Sequence, residues 1–268
     1  MKIAAAYHPS ELGNVSANLQ GTWEILSKMK EKEVEFVLFP EMNISGYLTS
    51  EKAIKDVLEQ RNEVFNRLKD FSVKLKIAFA IGFPIEVDGN YFISQILFEN
   101  GEIKGIHRKT HLSPKEKEIY AESEHISMYQ MGDLRMGMQL CFETHFPEIS
   151  YAQAKQGANL LTMSFASPKE TAEEKLERLK RYLCARAYDN ACFVMVCNYS
   201  GENGNGTKFP GLAMIIDPKG NILSETIRFK SGYCLADLNE EALENIYQSK
   251  MAWFNKFKQN EILKPFYE

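Results

Sequence analysis

Glu41, Lys109 and Cys141 each follow a run of residues that is typical of a β-strand. Strand ends lie at the rim of a sheet, where binding and catalytic side chains collect. A thiol becomes a nucleophile when a base takes its proton, a carboxylate can act as that base, and an ammonium can stabilise a developing negative charge. These three residue types could therefore carry out nucleophilic catalysis, provided that the fold brings them together.

The setting of Cys141 is the most informative of the three. The strand-like residues 136–140 lead into Cys141, and a helix is predicted over 147–156. A sharp turn from strand to helix projects a side chain beyond the sheet and aims free N–H groups at the same place. Such groups favour a thiolate and can hold an oxyanion, and a nearby ammonium would lower the thiol pKa further.

Each candidate also has an ordinary structural interpretation. A cysteine that ends an apolar strand is often a small core residue, Glu41 could cap a loop, and Lys109 could be a surface charge beside Arg108. His145, which follows Cys141 closely, allows a rival scheme in which a Cys–His pair does the chemistry. Spacing along the chain cannot decide between these alternatives, because only the fold can join residues so far apart.

Strands and helices alternate in the predicted order of elements, with pairs of adjacent strands among them. The predicted strands are 2–7, 35–39, 77–85, 92–98, 102–107, 136–140, 160–165, 193–198, 212–216 and 233–237. The predicted helices are 14–32, 51–75, 147–156 and 169–190. This order favours an α/β fold of two mixed sheets packed together, each covered by helices on its outer face.

Composition limits the class of protein. The chain has 268 residues, of which 44% are hydrophobic, and no stretch has the composition of a linker, so a single domain over 1–268 is expected. The net charge is −4 with basic residues scattered among acids, which argues against nucleic acid as a partner. The five cysteines are odd in number and lack C-x-x-C spacing, which argues against a disulfide framework and a zinc site.

The first apolar run of the chain ends at His8 and Pro9, far too early for a signal peptide. No stretch approaches the roughly 20 apolar residues of a membrane span. A cytoplasmic protein without a membrane partner is therefore expected.

Three blocks of sequence, taken in order, resemble the motifs of the nitrilase superfamily, the carbon–nitrogen hydrolases. The blocks are Pro40–Glu41 with Gly46–Tyr47, then His107–Leu112, then Cys141–Glu148. Further matching pieces are Gln156–Ala158, Arg186–Asn190, Gly211 and Asp217–Gly220. The likeness spans roughly residues 2 to 240, which is nearly the whole chain.

The resemblance implies a four-layer α-β-β-α sandwich and a role for each reactive residue. Glu41 would be the general base, Lys109 would stabilise the tetrahedral intermediate, and Cys141 would be the nucleophile. The second glutamate that often follows the lysine block is best matched by Glu116, with Glu118 as the alternative. No metal and no organic cofactor are implied.

The implied substrate is a small linear amide or an N-carbamoyl compound. Nitrile hydrolysis, acyl transfer and a non-catalytic binding role are alternatives on the same scaffold. Glu143, where the family commonly has Asp, and His145 depart from the family pattern and hint at a polar substrate. The predicted pocket residues are Tyr47, Phe142, Glu143, His145, Ser164, Phe165 and Ala166. A homodimer or higher homo-oligomer is implied, with the residues from about 240 onward as a C-terminal extension used in assembly.

Overall fold

Two six-stranded sheets form the centre of the computed structural model, which describes residues 1–168, 170–202, 206–228 and 230–266. The first half of the chain forms β1 (Lys2–Tyr7), β2 (Phe36–Leu38), β3 (Ala78–Gly82), β4 (Ile85–Val87), β5 (Asn90–Phe92), β6 (Ser94–Glu99) and β7 (Glu102–Arg108). The second half forms β8 (Met128–Met131), β9 (Leu134–Leu140), β10 (Leu160–Phe165), β11 (Phe193–Asn198), β12 (Gly201–Glu202), β13 (Lys208–Phe209), β14 (Leu212–Ile216), β15 (Ile222–Ile227) and β16 (Gly232–Asp237).

The two sheets have similar topologies. The first has the order β16-β1-β2-β3-β6-β7, and the second has the order β15-β14-β11-β10-β9-β8. In each sheet three central strands run parallel, and the flanking pairs are antiparallel. The central strands are almost entirely buried, which explains why continuous apolar runs marked them in the sequence.

Helices cover the outer face of each sheet. The helices are α1 (Val15–Lys30), α2 (Glu51–Leu58), α3 (Arg61–Leu75), α4 (Pro147–Lys155), α5 (Ala172–Asn190), α6 (Glu240–Gln248) and α7 (Asn260–Leu263). The first three pack on one sheet, whereas α5 buries its leucine stripe against the other. The resulting order of layers is α-β-β-α, as the sequence predicted. Within the described ranges, no helix has the length and apolar character needed to cross a membrane.

Small alanine and larger methionine side chains fill the space between the sheets. Ala5 and Ala80 from the first sheet meet a layer that includes Met136, Met138 and Met195 from the second. The alanines allow close approach of the sheets, and the flexible methionines fill the remaining irregular gaps. This packing brings the strand ends of the two sheets close together.

Two helix predictions need correction. The single helix predicted over 51–75 is wrong, because the chain turns at Glu59 and Gln60 and forms α2 and α3. The buried Val57 and Val64 lie seven residues apart, two helical turns, so the apolar pattern stays in phase across the break and cannot reveal it. The long helix predicted from 169 begins at Ala172, after a cap at Thr171, and Lys169 lies outside the described residues.

Strand direction explains where the reactive residues meet. β7 is antiparallel to β6, which is antiparallel to β3, so β7 runs in the same direction as β2 and β3. The ends of β2 and β7, which precede Glu41 and Lys109, therefore lie at the same edge of the first sheet. β9 precedes Cys141 and is parallel to β10 in the second sheet.

Candidate active site

Hydrogen bonds from both sheets hold the loop that carries Glu41. The Phe39 carbonyl accepts a bond from Gln95 Nε2 at 2.9 Å and another from Ser164 Oγ at 2.8 Å. The neighbouring Gly82 leaves room for this loop, because a Cβ atom there would lie 2.0 Å from the Met42 backbone nitrogen. Glu41 is consequently held with its side chain completely buried.

Lys109 lies at the centre of a buried ionic cluster. Its Nζ donates to Glu41 Oε1 at 2.8 Å and to Glu116 Oε1 at 2.7 Å. Glu116 also accepts a bond from the Tyr47 hydroxyl at 2.7 Å and one from the Ser113 N–H at 2.7 Å. Of the two glutamates suggested by sequence, Glu116 is buried in this cluster and Glu118 is exposed.

Cys141 begins the short 3-10 helix Cys141–His145, which turns sharply away directly after the last residue of β9. Its φ of 40° is in the left-handed region, which a residue with a side chain adopts only when its surroundings enforce it. The Ala166 N–H, directly after β10, donates to Glu41 Oε2 at 2.9 Å, and Cys141 lies close enough to Glu41 and Lys109 for both to shift its pKa. The structure therefore joins Glu41, Lys109 and Cys141 in one cluster at the edge where the sheets meet.

The electrostatics of the thiol differ from the expectation. Burial and the nearby Glu41 carboxylate raise the pKa of Cys141 to about 12, although Lys109 and the Ala166 N–H act in the opposite direction. The expected net lowering of this pKa is therefore wrong, because desolvation of a thiolate outweighs one ammonium. At neutral pH the thiol keeps its proton and needs a base.

A suitable base has its pKa shifted toward neutrality. Burial raises the pKa of Glu41 to about 7, against the lowering effect of Lys109. Burial would lower the pKa of Lys109, but the nearby Glu41, Cys141 and Glu116 raise it overall, so the ammonium persists. Burial raises and Lys109 lowers the pKa of Glu116, and the net shift is downward, which keeps that carboxylate ionised.

Aromatic side chains border the turn that carries Cys141. Phe142 lies edge-on to His145, with ring centroids 5.9 Å apart, and His145 stacks on Tyr182 at 5.1 Å. Partial burial, together with Arg178 and Arg186, lowers the pKa of His145. The imidazole is thus uncharged near neutral pH.

The other predicted pocket residues occupy different positions. Ala166 and Tyr47 lie in the cluster itself, as described above. Ser164 is buried, with its hydroxyl bonded to Phe39, and Phe165 packs in the core beneath α5. Glu143 is completely buried, and both of its carboxylate oxygens accept bonds from protein groups. Substrate contacts by Ser164, Phe165 and Glu143 stay predictions. The polar side-chain atoms of Ser164 and Glu143 already have partners in the protein.

Sequence reasoning missed several residues that shape this site. Gly82, Gln95 and Thr110 support the loops, and Tyr182 borders the turn from α5. Thr110 lies within the block His107–Leu112, whereas the other three belong to no motif. The roles of all four depend on contacts between distant segments, which a single sequence does not reveal. Within the described part of the chain, no group of three or more His, Cys, Asp or Glu side chains could hold a metal ion.

Comparison with known proteins places this arrangement in a family. Residues 2–248 match the carbon-nitrogen hydrolase family, and the chain therefore belongs to the carbon–nitrogen hydrolases of the nitrilase superfamily. Within this superfamily the chain is amidase-like, since several of its relatives are amidases. It is 24% identical over 228 residues to an (R)-stereoselective amidase from a Pseudomonas species, covering 85% of this chain and 81% of that protein. It is 28% identical over 244 residues to the 2-oxoglutaramate amidase of Bacillus subtilis, covering 88% of this chain and 90% of that protein.

A solved structure has the same fold. A variant of the amidase from Nesterenkonia sp. AN1, in complex with acrylamide, superposes with a TM-score of 0.86 at 23% identity, covering 99% of this chain and 97% of that one. The predicted four-layer α/β fold is confirmed. The buried pairing of Glu41 with Lys109 is consistent with a Glu-Lys-Cys triad.

Proposed function

We propose that this protein hydrolyses the carbon–nitrogen bond of a small linear amide or N-carbamoyl compound through a thioester or thiocarbamate on Cys141. The observation that carries the proposal is the 2.8 Å pairing of the buried Glu41 carboxylate with the Lys109 ammonium, with both groups close enough to the Cys141 thiol to shift its pKa. A nucleophile, a base and a cation thus share one buried site. Relatives named as amidases favour the amide over other substrates of the scaffold.

In the first step Glu41 accepts the proton of Cys141 while the sulfur attacks the substrate carbon. The pKa of the thiol is about 12 and that of Glu41 about 7, so a free thiolate is a minor species before substrate binds. Proton transfer therefore accompanies formation of the carbon–sulfur bond. The resulting oxyanion would be held by Lys109 Nζ and the Phe142 N–H, each worth on the order of 3 kcal/mol.

In the second step Glu41 gives its proton to the departing nitrogen, and the carbon–nitrogen bond breaks. The acyl group remains on Cys141. Glu41 then takes a proton from water as the oxygen attacks, the carbon–sulfur bond breaks, and the proton returns to the thiol. Glu116 would act through Lys109, because its 2.7 Å bond fixes the ammonium between two carboxylates.

The test of the substrate class is a panel of small amides, N-carbamoyl amino acids and nitriles, with ammonia release as the measurement. We expect release from amides, without carbon dioxide. Carbon dioxide together with ammonia would identify the N-carbamoyl compounds as substrates instead. Activity on nitriles alone, or acyl transfer to an added amine in place of hydrolysis, would contradict the proposal.

The pH dependence follows from the role of Glu41. Since only the carboxylate can take the thiol proton, kcat/KM should rise with pH and level off above about 7, the raised pKa of Glu41. Below that value it should fall about tenfold per pH unit. Replacement of Glu41 with Gln should lower kcat on the order of 10³-fold and remove this pH dependence.

His145→Ala is the matched variant for the rival Cys–His scheme. His145 stacks on Tyr182, so its loss should change KM more than acylation. Loss of acylation in His145→Ala, with acylation retained in Glu41→Gln, would show that the base has been assigned to the wrong residue.

We also propose that the residues from about 240 onward act in assembly of a homodimer or higher homo-oligomer. After α6 the chain leaves several large apolar side chains exposed, a feature of protein–protein contacts. They are Met251, Phe254, Phe257, Ile262 and Phe266. Phe254 also lies beside the exposed Tyr188 of α5, with ring centroids 5.4 Å apart, which extends the same surface.

A further inference from the structure

Glu143, two residues after the nucleophile, has a completely buried carboxylate on which four hydrogen bonds converge. Oε1 accepts from the Thr110 N–H at 2.6 Å and from Thr110 Oγ1 at 2.7 Å. Oε2 accepts from the Leu140 N–H at 2.6 Å and from His107 Nε2 at 2.8 Å. Both oxygens are therefore saturated by protein donors, and no lone pair is left over for a substrate.

The donors identify what this carboxylate connects. Thr110 directly follows Lys109, and His107 precedes it by two residues at the end of β7. Leu140 directly precedes Cys141 at the end of β9. Glu143 thus connects the edge of the first sheet to the turn that follows β9 in the second. Its partners in the chain flank Lys109 on both sides and directly precede Cys141.

We infer that Glu143 is a positioning residue that sets the separation between the Lys109 ammonium and the Cys141 thiol. The inference rests on the proposed function, because it assigns meaning to that separation. In this role Glu143 acts through the residues that it positions and does not contact the substrate.

The conformation of Cys141 explains why such a tie is needed. A left-handed residue with a side chain persists only where neighbouring bonds over-determine it, and φ at Cys141 is 40°. The Leu140–Glu143 bond fixes the residue before the turn, and Thr144 Oγ1 donates to the Cys141 carbonyl at 2.7 Å. Movement of this turn by about 1 Å would be enough to impair the reaction on the order of 100-fold.

Four converging donors require a carboxylate in particular. An amide has one accepting oxygen, and its NH2 group would face donors at the other position. Burial raises the pKa of Glu143, but the stronger combined effect of His107 and Thr110 lowers it below the ordinary value. The group therefore stays ionised and keeps both oxygens as acceptors.

The primary test compares Glu143→Gln with Glu122→Gln on the small-amide assay. Glu122 is a matched control, since its exposed carboxylate accepts the Leu112 N–H at 2.9 Å in the same loop but does not contact the Cys141 turn. We expect kcat to fall on the order of 100-fold in Glu143→Gln, with KM within about twofold, and a parallel slowing of Cys141 alkylation by iodoacetamide. The control should keep both parameters.

A second pair of variants keeps the test decisive if Glu143→Gln does not fold. His107→Gln retains a side-chain N–H donor for Glu143, whereas His107→Leu removes it. We expect kcat and the alkylation rate to be largely retained in His107→Gln and to fall in His107→Leu at unchanged KM. Equal rates in these two variants, or wild-type kcat in a folded Glu143→Gln, would overturn the inference.

Failure of the proposed function has a different signature. In that case the wild type would hydrolyse no amide, or Cys141→Ala would hydrolyse it as fast as the wild type, whatever Glu143 does. A rise in KM without loss of kcat in Glu143→Gln would instead support the substrate contact predicted from sequence and contradict positioning.

Discussion

Replacement of Cys141 with alanine is expected to abolish hydrolysis of small amides, with a loss in kcat of at least about 10⁴-fold. The remaining groups, Glu41 and Lys109, can orient water and polarise a carbonyl, but they cannot form the covalent intermediate. The fold should survive, because the thiol contributes one small side chain to a turn held by the bonds of Glu143 and Thr144. Ammonia release and thermal unfolding of the same sample provide the two measurements.

Cys184→Ala is the matched control for this variant. Cys184 is a partly buried free thiol on α5, outside the ionic cluster. It should keep wild-type rates, and an acylated intermediate trapped by acid quench should appear by intact mass in this control but not in Cys141→Ala. Retained hydrolysis in Cys141→Ala, or an adduct on any other cysteine, would contradict the assignment of the nucleophile.

Replacement of Lys109 with methionine should damage both activity and stability. Methionine has a similar length but no charge, so the buried Glu41 and Glu116 carboxylates would face each other without the ammonium that now lies 2.8 and 2.7 Å from them. Removing one partner of a buried ionic cluster typically costs about 3–5 kcal/mol of unfolding free energy. Loss of the oxyanion partner should also lower kcat on the order of 10³-fold.

The stability that Lys109→Met loses should depend on pH, and the direction of that dependence identifies repulsion between the two carboxylates as its cause. Without Lys109 the pKa of both carboxyls should be higher in the folded protein, so each would bind a proton more readily in the folded than in the unfolded state. The variant should therefore lose more stability at pH 8 than at pH 5, where protonation relieves the repulsion. Urea unfolding at the two pH values measures the difference.

Lys117→Met serves as the matched control for that experiment. Its exposed ammonium pairs with Glu122 at 3.0 Å, and surface pairs of this kind contribute little. Unfolding free energy and kcat should both stay near wild type. If Lys109→Met were as stable and active as this control, the cluster would be neither structural nor catalytic.

Several strands were determined by the local sequence alone. The predicted ranges 2–7, 160–165, 193–198 and 212–216 coincide with β1, β10, β11 and β14. These strands are buried on both faces, so each appears as a short continuous apolar run bounded by polar or turn residues. The sequence also marked the ends of such runs as positions for reactive groups, and the family resemblance assigned their roles.

Helix 51–75 shows where local pattern stops being informative. Periodicity records only the spacing of apolar residues, and that spacing stays regular from Val57 to Val64 although the chain turns between them. The break is decided by how the two segments pack on the sheet, which no window of sequence contains.

The tertiary structure decided everything that depends on distance and burial. Glu41 and Lys109 are 68 residues apart, and only the packing of strand ends sets the 2.8 Å between them. The same burial reversed the expected shift of the Cys141 pKa, since the cost of desolvating a thiolate depends on the surroundings and not on residue type. Glu143, expected in the pocket because it follows the nucleophile, has a completely buried carboxylate whose oxygens accept bonds from His107, Thr110 and Leu140. Sequence thus determined which chemical groups are present, and packing determined their separation, their protonation and the side chains they contact.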